Sequence, residues 1–128
     1  MKEIGVRTTK RVEAVDITDN VRETVRDAEK GVLFVFVPHC TAALAVNELE
    51  PGLAGDYEKL FSMLREGKWR HDEVDDNAAA HLAAVVAGGE KFFLVEKGKI
   101  VLGAWQRIIL MEFDGPRERK VLCKMVPC

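Results

Sequence analysis

The run VLFVFV, residues 32–37, constrains the chain more than any other stretch. Six apolar residues without a polar interruption lack the alternation of a half-buried strand, so they predict a strand buried on both faces. Pro38 cannot donate to a ladder and ends it. A corner at Pro38–His39 leads into TAALAVNE, residues 41–48, which reads as a second strand with His39 before it and Asn47 and Glu48 at its far end. Eight residues of extended chain span roughly 26 Å, so the two polar ends serve one small ligand only if the ribbon bends.

Elsewhere the periodicity alternates between strand and helix. KEIGVRTTKRVEAVDI reads as a strand or hairpin, and TDNVRETVRDAEKG as a short helix capped by Thr18, Asp19 or Asn20, with Val21, Val25 and Ala28 inward and Gly31 as its stop. PGLAGDYEKLFSMLREG predicts an amphipathic helix with Leu53, Tyr57, Leu60, Phe61 and Leu64 inward. NAAAHLAAVVAGG predicts an alanine-rich helix ended by Gly88–Gly89. KFFLVEKGKIVLG predicts a hairpin turning at Lys97–Gly98, and AWQRIILMEFDGPRERKVLCKMV a second one turning at Asp114–Pro116. About seven strands and two to three helices define a compact single α+β domain over residues 1–128 with a folded mixed or antiparallel sheet.

Composition removes several functions. The net charge of -2 and a hydrophobic share of 48% describe a domain with a core of its own and no basic footprint for nucleic acid. No apolar run is long enough to span a membrane, and MKEIGVRTTK lacks the apolar core of a signal peptide, so the expected location is cytoplasmic. Cys40, Cys123 and Cys128 have neither the parity nor the spacing of a disulfide framework or zinc knuckle. Ser62, the only serine, sits among helix formers, which argues against a serine hydrolase. Asn20, Asn47, Asn77 and Gln106 are the only side-chain amides, a scarcity that points to a thermophilic source. No glycine-rich phosphate loop is present.

The residues left to carry chemistry fall in three places. His39, His71 and His81 all lie outside the apolar periodicity, and neutral imidazoles gathered from separate elements make a three-ligand metal site with an open fourth position. The alternative is three unconnected surface histidines. Asn77 and His81 share a helix face, behind an acidic cluster, Asp72 to Asp76, whose Asp75 and Asp76 suit the helix's positive end. Trp105 and Gln106 put an aromatic face and an amide on opposite sides of a strand. Arg117 and Arg119 flank a turn; they are either a phosphate or carboxylate clamp or ion-pair partners of Glu112 or Asp114.

HCTAALAVNELEPG, RHDEVDDNAAAHL and GKIVLGAWQRIILMEFDGPRERKV, in that order, resemble the three signature blocks of the YjbQ family, also called secondary thiamine-phosphate synthase enzymes. The resemblance covers nearly the whole chain and departs at Cys40, where the family has threonine or serine, and at Glu73 in the family's HDD. It implies a homotrimer and a site drawn from all three blocks, with His39, His71 and His81 as ligands of a divalent metal (zinc or magnesium). Asp72 or Glu48 would serve as acid or base, and Thr41, Asn77, Trp105, Gln106, Arg117 and Arg119 would hold a small phosphorylated or anionic metabolite. The implied activity is a weak joining of a pyrimidine pyrophosphate to a thiazole phosphate. A metabolite-binding protein without turnover and a purely structural oligomer are the alternatives.

Overall fold

The structure, a computed structural model, describes all 128 residues. Eight strands form two sheets: β1 (Lys2–Arg7), β8 (Glu118–Pro127), β3 (Lys30–Phe36), β5 (Glu90–Glu96) and β6 (Lys99–Ile100) in that spatial order, and β2 (Glu13–Asp16), β7 (Arg107–Glu112) and β4 (Ala42–Asn47) in the other. All pairings are antiparallel. Four α-helices complete the chain: α1 (Thr18–Glu23), α2 (Pro51–Ser62), the four-residue α3 (Asp72–Asp75) and α4 (Ala78–Ala87), with a 3₁₀ turn at Met63–Glu66. None is long and apolar enough to cross a membrane.

The domain has three layers. Leu33, Val35, Val95 and Val121 of the five-stranded sheet meet Leu44, Ile108 and Leu110 of the three-stranded sheet, together with Val21 and Val25 from α1 and the turn after it. The other face of the small sheet, Ala43, Ile109 and Met111, packs on Ala80 and Ala83 of α4 and on Tyr57 and Phe61 of α2. β7 is therefore the strand covered on both sides, and five of its six residues are buried. The short side chains of the α4 alanines let the helix lie close to the sheet.

The expectation that residues 32–37 are buried on both faces is corrected. In β3, Leu33 and Val35 point into the core, but Phe34 and Phe36 are exposed because no layer of this chain lies over that side. Leu60 is likewise exposed on α2, where Tyr57 and Phe61 suffice to cover Met111. Neither β1–β2 nor β7–β8 forms a hairpin, because in both cases the chain crosses from one sheet to the other. The β5–β6 hairpin does turn at Lys97–Gly98, and both residues have positive φ, 51° and 73°, as a primed two-residue turn requires. α2 starts on Glu50, whose carboxylate accepts from the N–H groups of Gly52 and Leu53, with Pro51 in the first turn.

Close packing under α4 is testable. Ala83→Leu should lower unfolding free energy by about 1–3 kcal/mol through overpacking, whereas Val85→Thr, on the exposed side of the same helix, should change it by less than about 0.5 kcal/mol. Urea denaturation of the two variants gives the comparison.

Candidate functional site

Three of the crossings between sheets, β1 to β2, β3 to β4 and β7 to β8, meet at one end of the domain. After β7 the chain passes Phe113, whose N–H donates to the Thr41 carbonyl at 3.1 Å, and docks its turn on the segment after β1: Gly115 N–H donates to the Arg11 carbonyl at 3.0 Å. A Cβ at Gly115 would stand 2.3 Å from the Lys10 carbonyl oxygen, so only glycine permits this approach. Two polar networks form there, one inside and one at the surface.

The inner network centres on Glu112, fully buried, and Arg119, 5% exposed. Arg119 Nε donates to Glu112 Oε1 at 2.9 Å and its Nη2 to Glu112 Oε2. The same Nη2 donates to Thr41 Oγ1 at 2.8 Å, and Thr8 Oγ1 donates to Glu112 Oε1 at 2.7 Å. Asp114 N–H reaches Glu112 Oε2 at 3.1 Å. Burial alone would push the Glu112 carboxyl up; the bonds from Arg119, Thr8 and Asp114, with the Arg119 charge, outweigh it and hold the carboxyl below the ordinary carboxylate range. Arg119, expected with Thr41 to hold substrate, is paired inside the protein with Glu112 and donates to Thr41, so that of the two roles open to it the ion pair is the arrangement present.

The outer network carries the histidines. The rings of His71 and His81 meet edge to face with centroids 4.8 Å apart. His71 Nε2 lies 3.0 Å from Asn77 Oδ1, and Asn77 Nδ2 donates to Asp114 Oδ2 at 3.1 Å. Because the amide nitrogen faces a carboxylate, its oxygen faces His71, and Nε2 must carry the proton. Nδ1 is then the basic atom of a neutral ring. Arg117 grips Asp114 with Nε on the carbonyl at 2.7 Å and Nη2 on Oδ2 at 3.0 Å. Arg11 Nη2 stands 4.0 Å from Asp114 Oδ1 and donates to the Asp76 carbonyl at 3.1 Å.

Asn77 occupies the N-cap position of α4, yet its side chain makes no capping bond there. Asp72 takes that role, accepting from Ala78 N–H at 2.9 Å. Asp72 thus caps the helix, and Asp75 and Asp76 do not. Freed from it, Asn77 links His71 to Asp114.

The remaining expected residues do not join the cluster. His39 sits in the corner before β4 and accepts the Lys120 backbone N–H at Nε2, 2.9 Å away. Burial, then the nearby Arg119 charge, lower its pKa and keep the ring neutral. No three His, Cys, Asp or Glu side chains gather closely enough to hold a metal ion. Of the three histidines expected to share a metal, the chain brings His71 and His81 together and holds His39 through Nε2 on β8. Cys40 is exposed and free, neither packed nor part of a ligand group. Trp105 and Gln106 lie beyond the opposite end of β7, whose five residue steps separate Arg107 from Glu112 by roughly 17 Å. Gln106 Oε1 accepts Gly103 N–H there, and Asn47 pairs with Arg107. Glu48 shares that end, its carbonyl accepting from Tyr57 Oη. An apolar hollow of about 390 Å³ between α2, α4 and β4 is lined by none of the histidines.

Arg11 and Thr8 are the members that the sequence did not single out; Glu112 and Asp114 entered it as ion-pair partners of Arg117 and Arg119, the role that the structure gives them.

Two stability measurements test these networks. Glu112→Gln leaves the Arg119 charge buried without its counter-ion and should cost about 3–5 kcal/mol at neutral pH. A lowered carboxyl pKa contributes stability that is complete above the ordinary value of 4.5 and is lost as pH falls through the folded value. The melting temperature of the wild type should therefore carry an acid-limb decline that this variant lacks. His39, also lowered from its ordinary 6.5, contributes in the same sense. Its share is complete above pH 6.5 and declines below it, and His39→Gln should remove that portion of the profile.

The chain matches the family model described as UPF0047 protein YjbQ-like over residues 2–128. It is 46% identical to a UPF0047 protein of Archaeoglobus fulgidus, covering 95% of this chain and 98% of that one. It is 33% identical to the UPF0047 protein YugU of Bacillus subtilis, covering 98% of both. Among solved structures, a YbjQ-like protein of unknown function from Sulfolobus solfataricus superposes with a TM-score of 0.94 at 41% identity, covering 99% of this chain and 96% of that one. A hypothetical protein from Aeropyrum pernix superposes with a TM-score of 0.95 at 40% identity, covering 99% and 98%. Matched along its whole length in sequence and in fold, the chain belongs to the YjbQ (UPF0047) family.

Proposed function

We propose that the protein is a cytoplasmic enzyme performing general acid–base chemistry on a small phosphorylated or anionic metabolite at the His71–His81 pair. The observation that carries this reading is the chain of bonds from His71 through Asn77 to Asp114. Such a chain fixes one tautomer and one orientation of an exposed imidazole, which a solvated surface histidine has no need of. His71 Nδ1 is the candidate base. Arg117 and Arg11, both half-exposed, stand on the acidic end of the chain. Their guanidinium groups retain donors beyond those engaged with Asp114 and Asp76, so they suit an anionic group of the metabolite.

The family resemblance adds the joining of a pyrimidine pyrophosphate to a thiazole phosphate, in which the carbon–nitrogen bond forms as inorganic pyrophosphate leaves. Such a reaction favours an aromatic surface near the phosphate grip, and Trp105 of the same chain stands at the far end of β7. Self-assembly into a homotrimer, which the resemblance also implies, would be the route by which Trp105 and Gln106 of one copy serve the histidine pair of another. No step is assigned to a metal, since one chain brings two histidines together and not three ligands.

Titration calorimetry with inorganic pyrophosphate tests the anion grip. The wild type should bind, and Arg117→Gln should weaken binding by about tenfold, the loss of one charge-assisted contact. Unchanged affinity in that variant would sink the assignment. Incubation with the pyrimidine pyrophosphate and the thiazole phosphate, followed by chromatography, separates turnover from retention. Product formed by the wild type and lost in His71→Ala supports catalysis; substrates bound and recovered intact by both make the protein a binding module.

A further inference from the structure

The helical layer does not close completely over the small sheet. A hollow of about 390 Å³ remains between α2, α4 and the edge of β4, and sites for small molecules measure roughly 300–1,000 Å³. Its wall is apolar: Leu44 and Val46 of β4, Met111 of β7, Leu60 and Phe61 of α2 and Val86 of α4. Leu60 is 58% exposed and Val86 75%. One such residue is ordinary on a surface; here two from different helices line the same hollow.

Lys91 of β5 is the only charged residue of that wall. It lies on the core-facing side of its strand, in step with Phe93 and Val95, while Glu90 and Phe92 face out. Its Nζ donates to the Ala87 carbonyl at the end of α4, 3.1 Å away. That bond holds the ammonium beside the hollow and engages one of its three donors. Unlike Lys10 and Lys120, Lys91 has no carboxylate partner within the chain. The other polar groups of the wall bond to Glu48: Tyr57 Oη donates to its carbonyl and Asn47 Oδ1 accepts its N–H, each at 2.7 Å. Asn47 stands three residue steps, roughly 10 Å, along β4 from Leu44, whose N–H donates to the Gly88 carbonyl near Lys91. The hollow is thus apolar along its length, with one unpaired positive charge at one end.

We propose that this hollow binds a small apolar monocarboxylate, with its carboxylate on Lys91 Nζ and its hydrocarbon body between α2, α4 and the edge of β4. The charge selects the head: an ammonium with two donors free and no carboxylate beside it suits an anionic oxygen pair and rejects a cation. The wall selects the body, because the side chains along it offer no hydrogen bond in exchange for those a polar body would lose to water. A phosphate monoester would bring a second negative charge and more acceptor oxygens than one ammonium can serve. Neither histidine of the pair, nor Arg11 or Arg117, lines the hollow. The site is therefore separate from the acid–base chemistry proposed above and does not depend on it.

Titration calorimetry of the full chain with octanoate and with octanol tests the proposal, with circular dichroism melting to confirm that each variant folds. The wild type should bind octanoate about tenfold more tightly than octanol, the difference that one charge-assisted hydrogen bond makes. Lys91→Met should weaken octanoate by about tenfold and leave octanol unchanged, whereas Lys91→Arg should keep the preference. Leu60→Trp, an enlargement at an exposed position, should fill the hollow and weaken both ligands. Absence of octanoate binding overturns the site, as does binding that neither Lys91→Met nor Leu60→Trp alters. Equal affinity for octanoate and octanol overturns the carboxylate head. A Lys91→Met variant that melts lower but binds octanoate as the wild type does makes the lysine a cap of α4 alone and overturns its role.

Discussion

Glu112 and Arg119 hold the two sheets in one molecule. They stand at the ends of consecutive strands that do not pair, β7 in the small sheet and β8 in the large one. An ionised carboxylate and a guanidinium at this depth are tolerable only because nearly every polar atom has a partner: Thr8 from the β1–β2 crossing, Thr41 from the β3–β4 corner and the Asp114 N–H from the turn itself. All three places where the chain changes sheets at this end are therefore fastened to one pair. The surface cluster inherits its geometry from it. Asp114 is two residues from Glu112 and bonded to it, Arg117 is two residues from Arg119, and Asn77 is aimed at Asp114.

Much of the domain was legible because local physics agreed with the fold. The Lys97–Gly98 turn, the inward residues Tyr57 and Phe61, the alanine face of α4 and the antiparallel α+β layout all followed from periodicity and turn chemistry. The failures share one cause. Sheet membership, burial of a second face and ion pairing all depend on partners distant in sequence. VLFVFV and IILM look alike as strings, yet only the second has a layer on each side within the chain. Thr8 looks like any strand-end threonine until Glu112, far along the chain, folds beneath it.

The site was legible to the same degree. His71, His81 and Asn77 stood out because polar residues interrupt an alanine-rich pattern, and the structure does bring them together. His39 stood out for an equally good reason and is placed elsewhere: its ring accepts the Lys120 N–H just beyond the point where the β3–β8 ladder ends. Asp72 was read as chemistry and is a cap, whereas Asn77 sits at the cap position and is linked to the histidine instead. In each case residue type alone allowed both roles, and a single hydrogen bond decides between them.

The strand order has a consequence for how the chain acquires its shape. β2 and β4 are joined only through β7, and β1 meets β3 only through β8. Lys2 pairs with Cys123, so a ladder closes across nearly the entire sequence. During synthesis, before residue 107 emerges, the only ladder that can form is β3 with β5 and β6. The first two strands must wait without partners until the final fifth of these residues arrives. Long-range closure of this kind is slow because loop entropy is lost before the contacts return it. The stretch from Arg107 to Pro127 is consequently the piece that joins the two sheets, and a nascent chain halted before it leaves β1, β2 and β4 without partners.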